Sequence, residues 1–515
     1  MEITGVTYST AHYEHYNQHG DINYFEEVID AMILDEIAGM NETFRQAISN
    51  LSKDKKRMTI LSLLDKDINL YKKIKALIDK DINKMDHIKD VVLMLREYVK
   101  VAEVERKKFG EVMTPLDLVK EMLNTLSPEV WSNPNLKWLD SCNGTGPFLI
   151  MVIYKLMNGL KDWEPDDEKR YKHIVENMVY SGELQPKNMF LYMCAVDPFD
   201  KYKLNVYTGS YLEPEFDYHM KNIWNVEKFD IVIGNPPYQD NNKNGGVQPK
   251  NHNLWSKFIT KSSDILKDSG LLLYVTPDSW RSPSSKILEL FKSNTLLFAN
   301  FDVAKYFPGV GSTFSYYLLK IGKHDQECKI YGIDVDMNKL KYIPNGGELS
   351  LSIHLKTIMS SSDKYNLLCD TTSNHSTSQK SNLSKLITDI NIYRLHHTNA
   401  QEFFSTKKSK NHDDKKVYFT ISGYFSPKYD DGNISTSEIC PYILVNNETE
   451  GLNLVKILKS KIYSFLVNTG KWSGFLNKDI LRCLPKLDLN KDWTDEEICK
   501  ELNLTEEEII FINNF

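Results

Sequence analysis

The stretch Phe229-Asp230-Ile231-Val232-Ile233-Gly234-Asn235-Pro236-Pro237-Tyr238 decides how the chain reads. An apolar, β-branched run of strand type passes through one glycine straight into Asn-Pro-Pro-Tyr. Two consecutive prolines have no N–H to donate, so the backbone there is stiff and its carbonyls stay open as acceptors. The Asn235 side-chain carbonyl and the Pro236 carbonyl can then take both protons of one amino group, and Tyr238 offers a flat stacking face. A turn of this kind suits an NH2 group on a planar π system.

Working outward from it, residues 109 to about 322 alternate short apolar runs with longer helical patterns. Candidate strands are Lys137–Asp140, Val179–Glu183, Asn205–Thr208, Asp230–Gly234, Gly270–Thr276, Leu297–Phe301 and Phe314–Ile321. Phe148–Leu156 and Leu254–Leu266 carry helical spacing between them. Such alternation predicts an α/β layer fold with a mostly parallel sheet. Ligands of such sheets sit at the carboxyl ends of the strands. One strand end stands out: Asp140-Ser141-Cys142-Asn143-Gly144-Thr145-Gly146-Pro147-Phe148 follows the run at Trp138 and opens a helix. Glycines at such a turn let a backbone approach a ligand closely, although a lone Gly-x-Gly is weak by itself.

The remaining chain flanks this domain on both sides. The length of 515 residues allows about three domains. Residues 1–105 read as a helical region, with Ile29, Met32, Ile33 and Ile37 at helical spacing and almost no Gly or Pro between Gly39 and Gly110. Residues 106–325 are the α/β domain, and residues 326–515 mix strands (Val417–Ile421, Tyr442–Val445) with a helix over Leu452–Leu466. A polar stretch, Thr371–Gln379, reads as a loop or linker. Near the C-terminus Thr494 and Thr505 each precede an acid by three residues, the capping-box signature of two short helices.

Composition narrows the class. With 63 Lys+Arg against 70 Asp+Glu the net charge is −7, so any nucleic-acid surface must be local. Hydrophobic residues at 41% and charged residues at 26% exclude a disordered, collagen-like or disulfide-scaffold chain. No run is long and apolar enough to span a membrane, and the first residues lack a signal-peptide pattern. Cys142, Cys194, Cys328, Cys369, Cys440, Cys483 and Cys499 are scattered with no CxxC pair. They read as reduced thiols of a cytoplasmic protein without membrane or metal partners. Glu103, Glu105 and Lys107 come nearest to a nuclease metal cluster, but they lie in a charged helical run and read as a solvated face.

Taken together, the motifs resemble the S-adenosyl-L-methionine-dependent amino-methyltransferases, in particular the N6-adenine DNA methyltransferases of restriction–modification systems. The resemblance covers residues 109 to about 322 and extends weakly to Phe475-Leu476-Asn477 and Leu484–Glu497. It implies a Rossmann-like methyltransferase sheet followed by a C-terminal α+β target-recognition domain. In this likeness Phe109–Pro115 is the N-terminal cofactor motif, with Thr114 and Pro115 near the methionine carboxylate. Asp140, Gly144, Thr145, Gly146 and Phe148 form the main cofactor loop, and Glu183 accepts both ribose hydroxyls with its two oxygens. Ser210 stands where the family has an Asp for the cofactor adenine, and Tyr211 flanks that ring. Asn235, Pro236, Pro237 and Tyr238 are the catalytic motif, with Asn235 also against the cofactor. Phe307, within Tyr306–Val310, stacks on the second face of the target base. The motif order, with the N-terminal cofactor motif first and a long region last, is similar to the gamma arrangement.

The implied substrate is adenine of double-stranded DNA, flipped out of the duplex, with a cognate restriction endonuclease as a possible partner. For phosphate contacts the candidates are Lys407, Lys408 and Lys410 in the run ending at Lys416, and a second basic–aromatic group of Lys471, Trp472, Lys478 and Arg482. Other readings stay open: an RNA-base or protein-glutamine methyltransferase using the same turn, a modification subunit that needs a specificity partner, and a non-catalytic DNA-binding remnant. A fused nuclease is disfavoured.

Overall fold

The structure is a computed structural model that describes residues 114–197, 201–238, 253–283, 285–307, 313–323, 328–370, 382–472 and 475–515. The helical reading of residues 1–105, the motif residues Phe109–Met113, the Glu103–Lys107 cluster and the Thr371–Gln379 linker lie outside the described residues.

The chain forms two compact units. The first holds the described residues up to Pro277 together with 294–307 and 314–323. Its strands are β1 (Trp138–Asp140), β2 (Val179–Glu183), β3 (Asn205–Thr208), β4 (Phe229–Gly234), β5 (Leu266–Pro277), β6 (Thr295–Asn300) and β7 (Phe314–Lys320). They lie in the order β3-β2-β1-β4-β5-β7-β6. β3, β2, β1, β4 and β5 are parallel, and β7 runs antiparallel between β5 and β6. This is the mostly parallel α/β sheet that the strand–helix alternation predicts. β2 is buried along its whole length and β7 along nearly all of it, as strands covered on both faces must be. Helices α1 (Leu116–Leu123) and α2 (Pro147–Gly159) contribute much of the core around Trp138, Phe148, Val152 and Leu156. α2 starts where it does because Gly146 turns the chain at φ 93° and Pro147 presets the first helical residue. β5 begins earlier than the apolar run suggests. Leu266 pairs with Phe229, and a register shift before Ile231 absorbs the polar residues before Gly270 as a bulge.

The second unit holds the described residues of 278–293 and 328–515 together with Thr313. The described residues of 278–293 and Thr313 therefore pack outside the 106–325 segment to which the sequence reading assigns them. A buried ion pair explains the first of these. Arg281 joins Asp278 and also reaches Tyr331, Asn345 and the Pro344 carbonyl, while its own carbonyl accepts from Ile343. The unit contains a hairpin, β8 (Cys328–Ile330) with β9 (Ile333–Val335). A four-stranded sheet follows, built of β10 (Leu383–Ser384), β11 (Tyr393–Thr398), β12 (Gln401–Ser405) and β15 (Ser435–Thr436), in the order β10-β12-β11-β15. A three-stranded sheet sets β13 (Lys415–Tyr418) between β14 (Lys428–Asp431) and β16 (Tyr442–Leu444).

The helix expected over Leu452–Leu466 is two helices, Glu448–Lys459 and Lys461–Thr469. Ser460 leaves helical geometry at ψ 156°, and its side chain caps the second helix through the Tyr463 N–H. Both capping boxes expected at the C-terminus are formed, Thr494 with Glu497 and Thr505 with Glu508. Thr494→Ala should lower the unfolding free energy of the second unit by about 1 kcal/mol in a urea melt, with Thr494→Ser restoring most of it.

Candidate active site

β1 has β2 on one side and β4 on the other, and the chain order runs outward from it in opposite directions. The carboxyl ends of β1 and β4 therefore flank the reversal point of the sheet, where α/β folds leave a crevice. The two loops singled out in the sequence both leave from this point. The Gly234 turn shows how close they come: a Cβ there would lie 2.7 Å from Asp140 Oδ1 and 3.3 Å from Cys142 Sγ. With φ at 145° besides, only glycine fits.

The loop after β1 is tied down by its neighbours. Glu183, at the end of β2, accepts the Gly144 N–H on one oxygen and the Gln185 N–H on the other, both at 2.8 Å. It is buried, so it is not a surface acid. Asn143 N–H donates to the Gly182 carbonyl at 2.9 Å. Gly146 leaves no room for a side chain, since a Cβ would meet the Tyr192 ring at 2.4 Å. Beneath the loop, Ser141, Tyr274, Ser262 and Tyr211 form a buried chain of hydroxyl hydrogen bonds of 2.8–3.0 Å.

Asp140 is 1% exposed, and desolvation pushes its carboxyl up to about 8, with the Glu183 charge adding to the rise and the Cys142 N–H opposing it. Its Oδ2 and both amide atoms of Asn143 have no partner among the described residues. Between the unfolded value of 3.8 and about 8 the folded chain holds a proton that the unfolded chain releases. This component of stability is present at low pH and is lost as pH rises through that window. Asp140→Asn has no such proton, so the melting temperature of the wild type should fall relative to that of the variant between about pH 5 and about pH 8.5.

The loop after β4 carries the second half of the site. Asn235 Nδ2 donates to Thr114 Oγ1 at 3.1 Å, and Asn235 Oδ1 accepts from Tyr238 OH at 2.7 Å. The amide is thus held between two hydroxyl groups, one on each side. Pro236 is buried, while Asn235, Pro237 and Tyr238 are half-buried. Burial raises the Tyr238 hydroxyl well above its ordinary range, with the Asn235 hydrogen bond opposing, so it is a donor at neutral pH. Its ring packs on Phe314 at 5.1 Å between centroids.

Several other sequence candidates are buried or packed into the core. Tyr211 is a core residue, packed on Phe216 and Phe258 with its hydroxyl on Ser262, and is not an open face for an adenine ring. Ser210 is half-buried beside it. Phe148, in the first turn of α2, is 2% exposed and faces the core. Phe307 is buried and packs on Phe314, the same ring that Tyr238 touches, and the rest of its motif, Pro308–Val310, lies outside the described residues. Thr145 is buried in the loop, and Pro115 caps α1 without a side-chain bond. Sequence reasoning missed Phe314, whose strand was legible but whose facing was not.

In the second unit Lys407, Lys408 and Lys410 are exposed, with Lys408 paired to Asp413. Lys416, at the end of that run, is fully buried against Asp430 and unable to reach a phosphate. Trp472 is likewise a core residue, its indole N–H on the Ile343 carbonyl. Lys471 is half-buried, Lys478 bonds the Glu438 carbonyl and Arg482 pairs with Asp479. Among the described residues no group of three or more His, Cys, Asp or Glu is placed to hold a metal, and no helix is long and apolar enough to cross a membrane.

Comparison with known proteins bears on this geometry. Residues 156–309 match the Eco57I restriction-modification methylase family. A curated relative from Mycoplasma pneumoniae, described as an uncharacterized adenine-specific methylase, is 26% identical in a region covering 34% of this chain and 57% of the relative. The chain thus spans little more than half the length of that relative. Among solved structures, a nuclease-deletion mutant of the Type ISP restriction-modification enzyme LlaGI, in complex with a DNA substrate mimic, is similar with a TM-score of 0.51. It is 12% identical, and the match covers 95% of this chain and 53% of LlaGI. The Type IIL enzyme MmeI in complex with DNA gives a TM-score of 0.46 at 11% identity, covering 76% and 69% of the two chains. The likeness to LlaGI is one of fold. The family match and the Mycoplasma relative carry the resemblance to adenine-specific methylases of restriction–modification type.

Proposed function

We propose that this chain methylates N6 of adenine in double-stranded DNA at a specific site, using S-adenosylmethionine, as the modification activity of a restriction–modification system. The observation that carries the reading is the Asn235 amide, clamped by Thr114 and Tyr238 at the sheet's reversal point beside the β1 loop. The loop suits the cofactor. Buried, partnerless atoms of Asp140 and Asn143 wait for polar groups, the buried carboxylate of Glu183 is of the type that binds a diol, and Gly144 leaves open space where a Cβ would stand. S-adenosylmethionine supplies an electrophilic methyl group when bound there.

Adenine N6 is a poor nucleophile because its lone pair is delocalised into the ring. Asn235 Oδ1 is the acceptor for one N6 proton, and the Pro236 carbonyl takes the other. Holding both protons out of the ring plane localises the lone pair and aims it. The gain comes from fixed dipoles and positioning. A paired adenine cannot reach this turn, so the base leaves the stack and lies against the Tyr238 ring.

Tyr238 has two separable roles in this scheme. Tyr238→Phe keeps the ring and loses only the bond to Asn235, so kcat should fall less than about tenfold. Tyr238→Ala loses the stacking face as well, and kcat/KM for duplex DNA should fall by about 10–100-fold. Steady-state methyl transfer on DNA tests both. Equal effects of the two variants would remove the ring from the account. For the reading as a whole, the test is N6-methyladenine formed in duplex DNA by the purified chain. Methylation of RNA or of a protein amide in its place would overturn it.

A further inference from the structure

The loop joining β10 to β11 exposes four branched aliphatic side chains in succession: Leu386 at 75%, Ile387 at 66%, Ile390 at 70% and Ile392 at 52% of their full surface. Apolar residues gathered this way on a short tip carry a cost in water and mark a contact surface. The tip is not loose. Asn391, buried at its base, donates from Nδ2 to the Asn382 and Phe404 carbonyls at 2.8 and 3.2 Å. Thr388 Oγ1 bonds both the side chain and the N–H of Asn391, Thr388 N–H reaches the Asn391 carbonyl, and Leu386 N–H reaches Ser384 Oγ. These bonds hold the loop arched over the end of β12.

The charge around the tip indicates what it meets. Lys385 stands on the tip itself. At the same end of the sheet, where Leu383 pairs with Ser405 and Thr406 N–H donates to the Asn382 carbonyl, the chain runs directly into Lys407, Lys408 and Lys410. Lys385, Lys407 and Lys410 are exposed and form no ion pair among the described residues, whereas Lys408 is matched by Asp413. Asp389 is the one acid on the tip. An apolar crest flanked by unpaired lysines complements a nucleic-acid groove, whose floor offers sugar faces and thymine methyls and whose rims are phosphates.

We propose that the Leu386–Ile392 tip is a DNA-docking crest. Its aliphatic side chains enter a groove of the duplex, while Lys385, Lys407 and Lys410 hold the bordering phosphates. The inference rests on the proposed DNA substrate and adds to it the element of the second unit that grips the duplex.

The test compares two variants of the full chain in binding a fluorescent duplex that carries the motif it methylates, across a series of salt concentrations. In the first, Leu386→Ser, Ile387→Ser and Ile390→Ser are combined; these positions are exposed, so the melting temperature should not change. Affinity should drop by about tenfold or more at every salt concentration with an unaltered salt slope, because no phosphate contact is lost. In the second, Lys407→Gln and Lys410→Gln are combined, and the salt slope should shrink by about one per contact removed. Unchanged DNA affinity in the first variant would overturn the crest. So would a fall in its molecular mass in solution, which would make the tip a contact between copies. A wild-type chain that neither methylates nor binds duplex DNA would instead fail at the underlying reading, and the two failures are told apart by the wild-type arm alone.

Discussion

Asn235→Ala is expected to lower kcat for methyl transfer by about 10²–10³-fold while leaving cofactor binding near its wild-type level. The side chain removed holds no strand in place. It is half-buried and sits beyond the end of β4, bonded to Thr114 and Tyr238. What is lost is one of the two acceptors aimed at the amino group, and with it the preorganised field that favours a localised lone pair. Asn235→Asp probes the same site with opposite logic: it retains an acceptor but brings a charge and loses the donor to Thr114. It should fall short of wild type as well, because the added negative charge alters the fixed field that positions the amino group. Isothermal titration with S-adenosylmethionine, run beside single-turnover methylation, separates binding from chemistry. A variant that loses cofactor affinity and rate in proportion would assign Asn235 to the cofactor alone.

The second large effect concerns stability. Lys416 and Asp430 form an ion pair in which both side chains are essentially removed from water, 0% and 3% exposed, with Nζ and Oδ2 2.6 Å apart. Burial pulls the Lys416 amine below its ordinary range, and Asp430 opposes that shift. Asp430 also accepts the Asn433 and Ile434 N–H groups, so it closes the turn after β14. Asp430→Ala leaves a buried ammonium with only the Asp414 carbonyl for company and should destabilise the second unit by about 3–5 kcal/mol. Lys416→Met with Asp430→Leu removes both charges and should recover much of that loss, although the turn after β14 keeps its unpaired N–H groups. Urea denaturation of the three proteins is the check. A single variant as stable as wild type would mean that the pair is solvated.

Much of the first unit was legible from its sequence because its signals are local. Each of the seven strands falls on an apolar run bounded by turn residues, and the Gly loop and the Asn-Pro-Pro-Tyr turn each follow a strand directly. Facing was less legible. The family resemblance sets Tyr211 and Phe148 at the cofactor and Phe307 at the target base, and closeness in sequence groups Trp472 with Lys471, Lys478 and Arg482. Their rings are buried because tertiary partners such as Phe216, Phe258 and Phe314 come from distant segments. Lys416 read as one lysine in a basic run, since its partner Asp430 is brought across by the β13–β14 pairing. Ser460 looked like a tolerated polar residue within an apolar helical stretch, and only its capping bond shows that the helix restarts there. The Leu386–Ile392 tip carried no signal at all, because exposure of an aliphatic residue is not written in its type.

The central claim is that Asn235 presents adenine N6 of DNA for methylation. The most direct measurement is single-molecule sequencing of genomic DNA from cells that express the chain, beside cells that express Asn235→Ala. The account predicts N6-methyladenine at one short sequence motif in the first sample and its loss in the second. No mark in either sample, with the wild-type chain folded and shown to bind S-adenosylmethionine, would contradict it.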